Sequence, residues 1–354
     1  MSEDVSVASG LNCPIPFEAT DRVQLGHGSG GKLSASLLRE RFLPHLSNPA
    51  LDQLADAAVV SLGGEDIAIS TASFVVSPLE FPGGNIGSLA VHGTVNDLAM
   101  MGAKPQFLSA GFVLEEGLPF DLLDRVIRAM AESARAAEVL LVAGDTKVVE
   151  RGKADGLFIN TAGIGRLGSS FRPVPENAKP GDVVLVSGPI ARHGMAIMAV
   201  REGIAFEAPI ESDSAALYPL VERLEQSVGA DVHVLRDPTR GGVASALNEI
   251  AAASTVGVVL DEGSIPVPGP VAGACEMLGL DPLYVANEGV LVAFVSEGME
   301  SRALEALKAH PLGRDATRIG RVVDEHPGFV VLHTGIGGRR IVDLLPGDQL
   351  PRIC

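Results

Sequence analysis

Residues 139 to 147 read Val139-Leu140-Leu141-Val142-Ala143-Gly144-Asp145-Thr146-Lys147, an apolar run closed by a glycine, an acid, a hydroxyl and a cation. A short apolar run bounded by such a signal predicts a buried strand. Ligands in α/β architectures gather at the carboxyl ends of strands. Gly144, Asp145, Thr146 and Lys147 in that place suit Mg²⁺ and a phosphate, although a plain strand-ending turn with a surface lysine reads equally well from these residues. Working outward, Phe120, Leu123, Ile127, Met130 and Ala134 recur at steps of three and four, which is one face of a helix. Ile67-Ala68-Ile69-Ser70 predicts another strand. Ile86 to Met101 predicts a second helix, stopped by Gly102 as a C-cap.

The same alternation resumes further on. Val183 to Val186, 256 to 260 and 290 to 295 read as strands, and 240 to 253 and 298 to 309 as helices, so both halves are mixed α and β. Gly168, Pro173, Pro175 and Pro180 break the pattern between them. The expected division is a lead-in over 1–22, an N-terminal domain over 23–166, a C-terminal α/β domain over 178–328 and a flexible tail over 329–354. Extended, the stretch from Asp343 to Cys354 would reach about 36 to 40 Å, enough to carry its last residue across a domain face.

Composition narrows the function. The 354 residues carry 27 Lys plus Arg against 44 Asp plus Glu, a formal charge of −17, with no Trp and 4% aromatics. Such a chain repels phosphate backbones and lacks stacking platforms, which argues against nucleic-acid binding. The opening residues show no basic and apolar leader, and no apolar run reaches the roughly 18 residues a membrane span requires. A cytoplasmic protein is expected. Cys13, Cys275 and Cys354 form neither a Cys-x-x-Cys pair nor an even set, against a disulfide framework or a thiolate zinc site. Cys275, among Ala274, Met277 and Leu278, reads as core. Cys354, preceded by two prolines and a glycine patch, reads as a substrate arm or as an incidental cysteine.

Other residues carry chemistry more openly. Gly26-His27-Gly28-Ser29-Gly30-Gly31-Lys32 offers free backbone N–H groups and a cation to an anion, without Walker A spacing; a flexible loop leading into a helix over 33–41 is the plainer alternative. Thr94, Asn96 and Asp97 lie within the apolar helix Ile86 to Met101 and either line a polar pocket or face solvent. Asp56 is a further potential metal ligand. Asp237 to Gly242 precedes a helix, where backbone N–H groups and Arg240 suit an anion. Glu288 precedes an apolar strand whose rim would raise its basicity; a surface turn acid reads equally well from that motif. His193 follows a strand and opens a helix, where it could act at a site, although a lone histidine is more often structural.

Phe81-Pro82-Gly83-Gly84, Gly93 to Ala99, Gly144 to Val149, Asp237 to Gly242 and the ending Pro351-Arg352-Ile353-Cys354 together resemble the HypE family of hydrogenase maturation factors, within the aminoimidazole ribonucleotide synthetase superfamily. The resemblance spans Gly26 to Cys354. It implies an N-terminal β-sheet domain that forms a barrel with a second copy, giving a homodimer, a C-terminal α/β domain packed on it, and ATP with Mg²⁺ between them. It implies that a carbamoyltransferase, HypF, loads Cys354, that ATP-dependent dehydration turns the carbamoyl group into a thiocyanate, and that the cyano group passes to a HypC–HypD complex for [NiFe] hydrogenase. Lys147 would stabilise the reacting oxygen and phosphate, Glu288 would act as base, and His193 would take part at the site. Gly28, Gly30, Gly31, Lys32, Thr71, Thr94, Asn96, Asp97, Gly144, Asp145 and Thr146 would bind nucleotide, and Asp56, Asp97 and Asp145 metal. Four positions that are usually acidic are Ala55, Ala72, Asn85 and Arg192, which admits a second reading: an impaired dimeric carrier that presents Cys354 without turning over ATP.

Overall fold

The computed structural model describes residues 22–168, 171–204, 210–347 and 350–354; the expected lead-in thus lies outside the described residues except for Arg22. The chain begins with α1 (Lys32–Leu37) and α2 (Leu43–Leu46), joined by a π-turn at Leu38–Phe42 rather than running as a single helix. Pro44, in the first turn of α2, cannot donate to the turn before it, so the regular α pattern does not run through.

The first unit then lays down β1 (Ala58–Leu62), β2 (Glu65–Phe74), a small hairpin of β3 (Glu80–Phe81) and β4 (Gly84–Asn85), α3 (Ile86–Met100), β5 (Ala103–Glu115), α4 (Phe120–Ala136), β6 (Leu140–Val149) and β7 (Leu157–Leu167). Its sheet has the order β1-β2-β7-β5-β6. Only β5 and β6 run parallel, linked by the crossover helix α4. Helix α4 buries Val126, Met130 and Ala134. Of the face expected from sequence, Met130 and Ala134 are buried, whereas Phe120 and Ile127 are exposed, so the buried stripe is turned toward Val126. Asn85 starts α3, its side chain accepting from the N–H groups of Gly87 and Ser88 while Ser88 answers the N–H of Asn85. An amide caps as well as a carboxylate here, so the loss of an acid at this position leaves the helix start intact. Helix α3 is buried on nearly every side because it lies between its own sheet and the second unit.

One sequence expectation is corrected here. Gly144 to Lys147 do not form a turn at the end of a strand: β6 continues through them, with Asp145 opposite Gly111 and Lys147 opposite Val113 in the parallel ladder. The strand persists because β5 offers partners as far as Glu115.

The second unit comprises β8 (Val183–Val186), α5 (Arg192–Arg201), α6 (Tyr218–Ser227), β9 (Val232–Arg236), α7 (Gly242–Ser254), β10 (Gly257–Asp261), α8 (Gly269–Leu278), β11 (Val292–Val295), α9 (Glu300–Lys308), β12 (Thr317–Val323), β13 (Val330–His333) and β14 (Arg339–Val342). The sheet order is β14-β13-β10-β12-β8-β11-β9. Strand β8 is buried at all four positions, as a continuous apolar run predicts when both faces are covered. Leu220, Leu224, Ala303 and Leu307 from α6 and α9 cover one face. Ile197, Val243, Leu247 and Ala274 from α5, α7 and α8 join the core on the other, which continues into Phe74, Leu89 and Val91 of the first unit. Residues from Phe329 onward, expected to begin a tail, instead supply β13 and β14, because Val330, Leu332 and Val342 alternate as a half-buried strand pattern. The chain leaves the sheet only after Val342.

Candidate active site

After β14 the chain crosses to the glycine loop. The N–H of Lys32 donates to the carbonyl of Leu345 at 2.9 Å, the amine of Lys32 pairs with Asp343 at 2.6 Å, and the hydroxyl of Tyr284 donates to the carbonyl of Asp343. A Cβ on Gly31 would lie 2.4 Å from that Leu345 oxygen, so the close approach demands glycine. Gly30 adopts φ +78° beside Arg240, whose guanidinium donates to the carbonyl of Gly28 at 3.0 Å. Gly28 and Gly31 line the cavity beside Cys354, whereas Lys32 is committed to the base of the tail.

The last residues lie in a cleft between the units. The N–H of Val75 donates to the main-chain oxygen of Cys354 at 3.1 Å and that of Ser77 to the carbonyl of Arg352 at 3.3 Å. Leu350 and Ile353 are buried. His193, fully buried against the edge of Phe81, places Nε2 2.8 Å from the carbonyl of Ile353 and Nδ1 2.8 Å from the hydroxyl of Ser212. A carbonyl only accepts, so Nε2 carries the proton and Ser212 donates to Nδ1. Burial pushes the His193 pKa down and keeps the ring neutral. His193 is thus a holder of the tail backbone, one residue from the sulfur.

The Cys354 thiol opens on a cavity of about 170 Å³, lined also by Gly28, Ser29, Arg240, Gly241 and Ser245. Burial pushes the thiol pKa up to about 12, reinforced by Glu288, Asp97 and Asp237 and opposed by Arg240. Docked sulfur is a protonated, poor nucleophile. Glu288 is 2% exposed, and its Oε1 has no hydrogen-bond partner. Its backbone is fixed: its N–H meets Asp213, and its carbonyl accepts from Ala215 and from the amide of Asn96. Burial, then the Asp237 charge, raises the carboxyl well above the usual range.

Beside it stand Asp56, Asp97 and Asp237, each offering an oxygen within 4.8 Å of the others. Burial raises Asp56 to about 8 and Asp237 to about 6, against the pull of Arg236. Asp97 is raised too, mainly by burial and then by the two neighbouring acids, and accepts from Ser70 at 2.6 Å. Arg236 pairs with Asp56 at 2.9 Å and with Glu249 at 2.5 Å. Asp237 Oδ2 is buried without a partner. Hard carboxylate oxygens converging with one left unsatisfied fit Mg²⁺.

Several expected site residues sit elsewhere. Asp145 is outside the acid cluster: it is exposed and paired with Lys147 at 2.6 Å on an outward-facing strand, and Gly144 and Thr146 are exposed with it. Asp237, proposed from sequence only as part of an anion-binding turn, takes the third place. Thr94 and Thr161 share a buried hydroxyl contact of 2.6 Å, and Thr71 donates to the carbonyl of Thr161, so two of the three expected nucleotide-binding threonines fasten α3 and β2 to β7. Asn96 secures Ala215 and Leu217. Sequence reasoning missed Arg236, Ser212, Asp213 and Arg201. Arg236 carried a signal, because a cation next to Asp237 at a strand end is a ready counterion; the others stand in segments without pattern.

Comparisons with known proteins agree with this geometry. Residues 54–167 match the family model of the AIR synthase related protein N-terminal domain, and 179–333 that of the C-terminal domain. Carbamoyl dehydratase HypE of Cupriavidus necator is 51% identical over 350 residues, 99% of either chain. A crystal structure of a HypE–HypF complex aligns with TM-score 0.83 at 48% identity, covering 88% of this chain and 100% of that one. A crystal structure of HypE in complex with ATP aligns with TM-score 0.80 at 48% identity, covering 94% and 100%.

Proposed function

The chain belongs to the HypE family of AIR synthase related proteins, and from that premise we propose that it dehydrates a carbamoyl group carried on Cys354 to a thiocyanate, using ATP. The observation that carries this reading is the docking of the Cys354 thiol beside a cavity of about 170 Å³, within electrostatic reach of Glu288, Asp97 and Asp237, where the buried Glu288 carboxyl has an oxygen without a partner.

The amide oxygen of a thiocarbamate is a poor leaving group and must leave as phosphate. The balanced change converts the thiocarbamate and ATP into the thiocyanate, ADP, phosphate and a proton: the amide oxygen departs with the transferred phosphoryl group and nitrogen gives up two protons. Glu288 is positioned to take the first, its desolvated carboxylate being a strong base that becomes neutral on protonation. Backbone clamping of the tail makes the step effectively unimolecular. Mg²⁺, where bound, would be held by Asp56, Asp97 and Asp237 and would offset phosphate charge. Since docked sulfur is protonated, loading by a carbamoyltransferase such as HypF belongs to an undocked tail, as does delivery of the cyano group to a HypC–HypD complex.

Lys147 is absent from the pocket of its own chain. Its strand edge and the sheet face turned away from α3 expose Ile69, Phe107, Leu141, Val142 and Ile164. Apolar surface of this kind marks an association face, and a homodimer formed there would bring Lys147 and Asp145 toward the partner's pocket. The function is tested by incubating carbamoyl-loaded protein with Mg-ATP and taking an intact mass. Loss of one water from the adduct supports the dehydratase; a stable adduct with no ADP formed overturns it in favour of a carrier.

A further inference from the structure

The docked tail is held by the buried side chains of Leu350 and Ile353, by the Arg352 guanidinium, and by a run of bonds to its backbone. The carbonyls of Pro351, Arg352 and Ile353 and the main-chain oxygen of Cys354 each receive a donor, from Arg201, from Arg201 and Ser77, from His193 and from Val75 respectively. Arg201, the last residue of α5, stands out among these donors. Its Nη1 donates to Pro351 at 2.5 Å, its Nη2 to Arg352, and its Nε to the carbonyl of Ser77 at 2.5 Å, so one planar fork joins the tail to the strip of chain it lies on. From the tail side, Arg352 takes up φ +53°, which turns its side chain to donate to the carbonyl of Val75 at 3.0 Å and to pair with Asp155 at 2.5 Å.

We propose that Arg201 is the positioning residue that latches the tail in its docked state, and that the latch is indifferent to what the Cys354 sulfur carries. A guanidinium presents five donors in a fixed plane, suited to adjacent carbonyls where an ammonium is not. Its bonds to Pro351 and Arg352 are made to carbonyl oxygens, which the thiol, carbamoyl and cyano forms of Cys354 present alike. Release is then governed by the backbone clamp and not by completion of chemistry at sulfur. This inference deepens the carrier reading of Cys354 and rests on it for its purpose, but its test needs neither ATP nor a carbamoyl donor.

The test is the rate of iodoacetamide alkylation at Cys354 in the full chain, read by peptide mass so that Cys13 and Cys275 are counted separately. Arg201→Met removes charged hydrogen bonds to the tail and is expected to speed Cys354 alkylation by roughly tenfold or more, with Cys275 still protected. Arg201→Lys keeps the stem and charge but not the fork; it is expected to fall between the two, and it serves as the deciding variant if the methionine form does not fold. An unchanged Cys354 rate in the folded lysine and methionine variants, or in the lysine variant alone where the other is unfolded, overturns the latch. Parallel acceleration at Cys275 also overturns it, since that reports general loosening. Cyanylated Cys354 does not alkylate, so indifference to cargo is read by hydrogen exchange at the N–H groups of Val75 and Ser77. Equal protection in thiol and cyanylated protein is expected, and loss of protection on cyanylation contradicts that half of the inference. Dehydration failing while the latch results hold would strike the functional reading alone.

Discussion

The tail cleft and strand β6 contrast within one chain. In the cleft, every backbone oxygen from Pro351 to Cys354 has a donor, Ile353, Glu288 and Asp237 are buried, and Asp56 and Asp97 are partly so. On β6, nine of ten residues are exposed, and Asp145 and Lys147, both expected at the site, pair with each other, Asp145 accepting also from the N–H of Thr146. An exposed pair of this type contributes little to stability, so β6 is not built to stabilise the single chain. The difference teaches that Glu288, Cys354 and the acid cluster gather in one cleft of the chain while Lys147 faces outward on an exposed strand. That is why the proposed function assigns Lys147 to the pocket of a second copy.

The largest expected effect is at the base. Glu288→Gln keeps the shape but not the basicity and is expected to slow dehydration by ~10²–10⁴-fold, measured as ADP release from carbamoyl-loaded protein. A near-normal rate would remove Glu288 from the mechanism. Next, Lys147→Ala is expected to cost ~10²–10³-fold in the same assay while leaving the thermal midpoint unchanged, because the side chain is exposed in the single chain. A large drop in midpoint would recast β6 as structural. Val142→Glu, on the exposed apolar edge, would place an unpaired charge in the proposed association face at a cost of a few kcal/mol. Size-exclusion chromatography should show a monomer whose activity has fallen with dimer content.

The smallest effect concerns the acid cluster. Asp56 and Asp237 have folded values, about 8 and about 6, above their ordinary ones. Their contribution is therefore fully present at low pH and is lost as pH rises through those values. A divalent cation that replaces the protons offsets this loss, so Mg²⁺ should raise the midpoint by a few degrees near pH 8 and by less near pH 5. Equal shifts at both pH values would argue that the cation binds elsewhere.

Much of the architecture was legible in sequence because it rests on pattern: the apolar run of β8 and the helix over 242–254 follow from it. On α4 the spacing found the helix with Met130 and Ala134 but also named Phe120 and Ile127, which are exposed. The site was legible where chemistry shows in residue type, as at Glu288, Cys354 and Asp97. It was illegible where backbone atoms do the work, since acceptors in Pro351 to Ile353 carry no signature, and Arg201 reads as an ordinary basic residue at a helix end. The GDTK motif misled for a related reason. Its residues suggest a strand-ending pocket, yet parallel pairing with β5 extends the strand through them.

A mixture of Lys147→Ala and Glu288→Gln chains, both carbamoyl-loaded and allowed to exchange subunits before Mg-ATP is added, tests the division of labour most directly. In a mixed dimer, one pocket combines Glu288 and Cys354 of the first variant with Lys147 of the second. The account predicts that the Lys147→Ala chain, resolved by its own mass, loses water from its adduct in the mixture but not alone. Intact adducts on both chains, under conditions where the unsubstituted protein reacts, would contradict it.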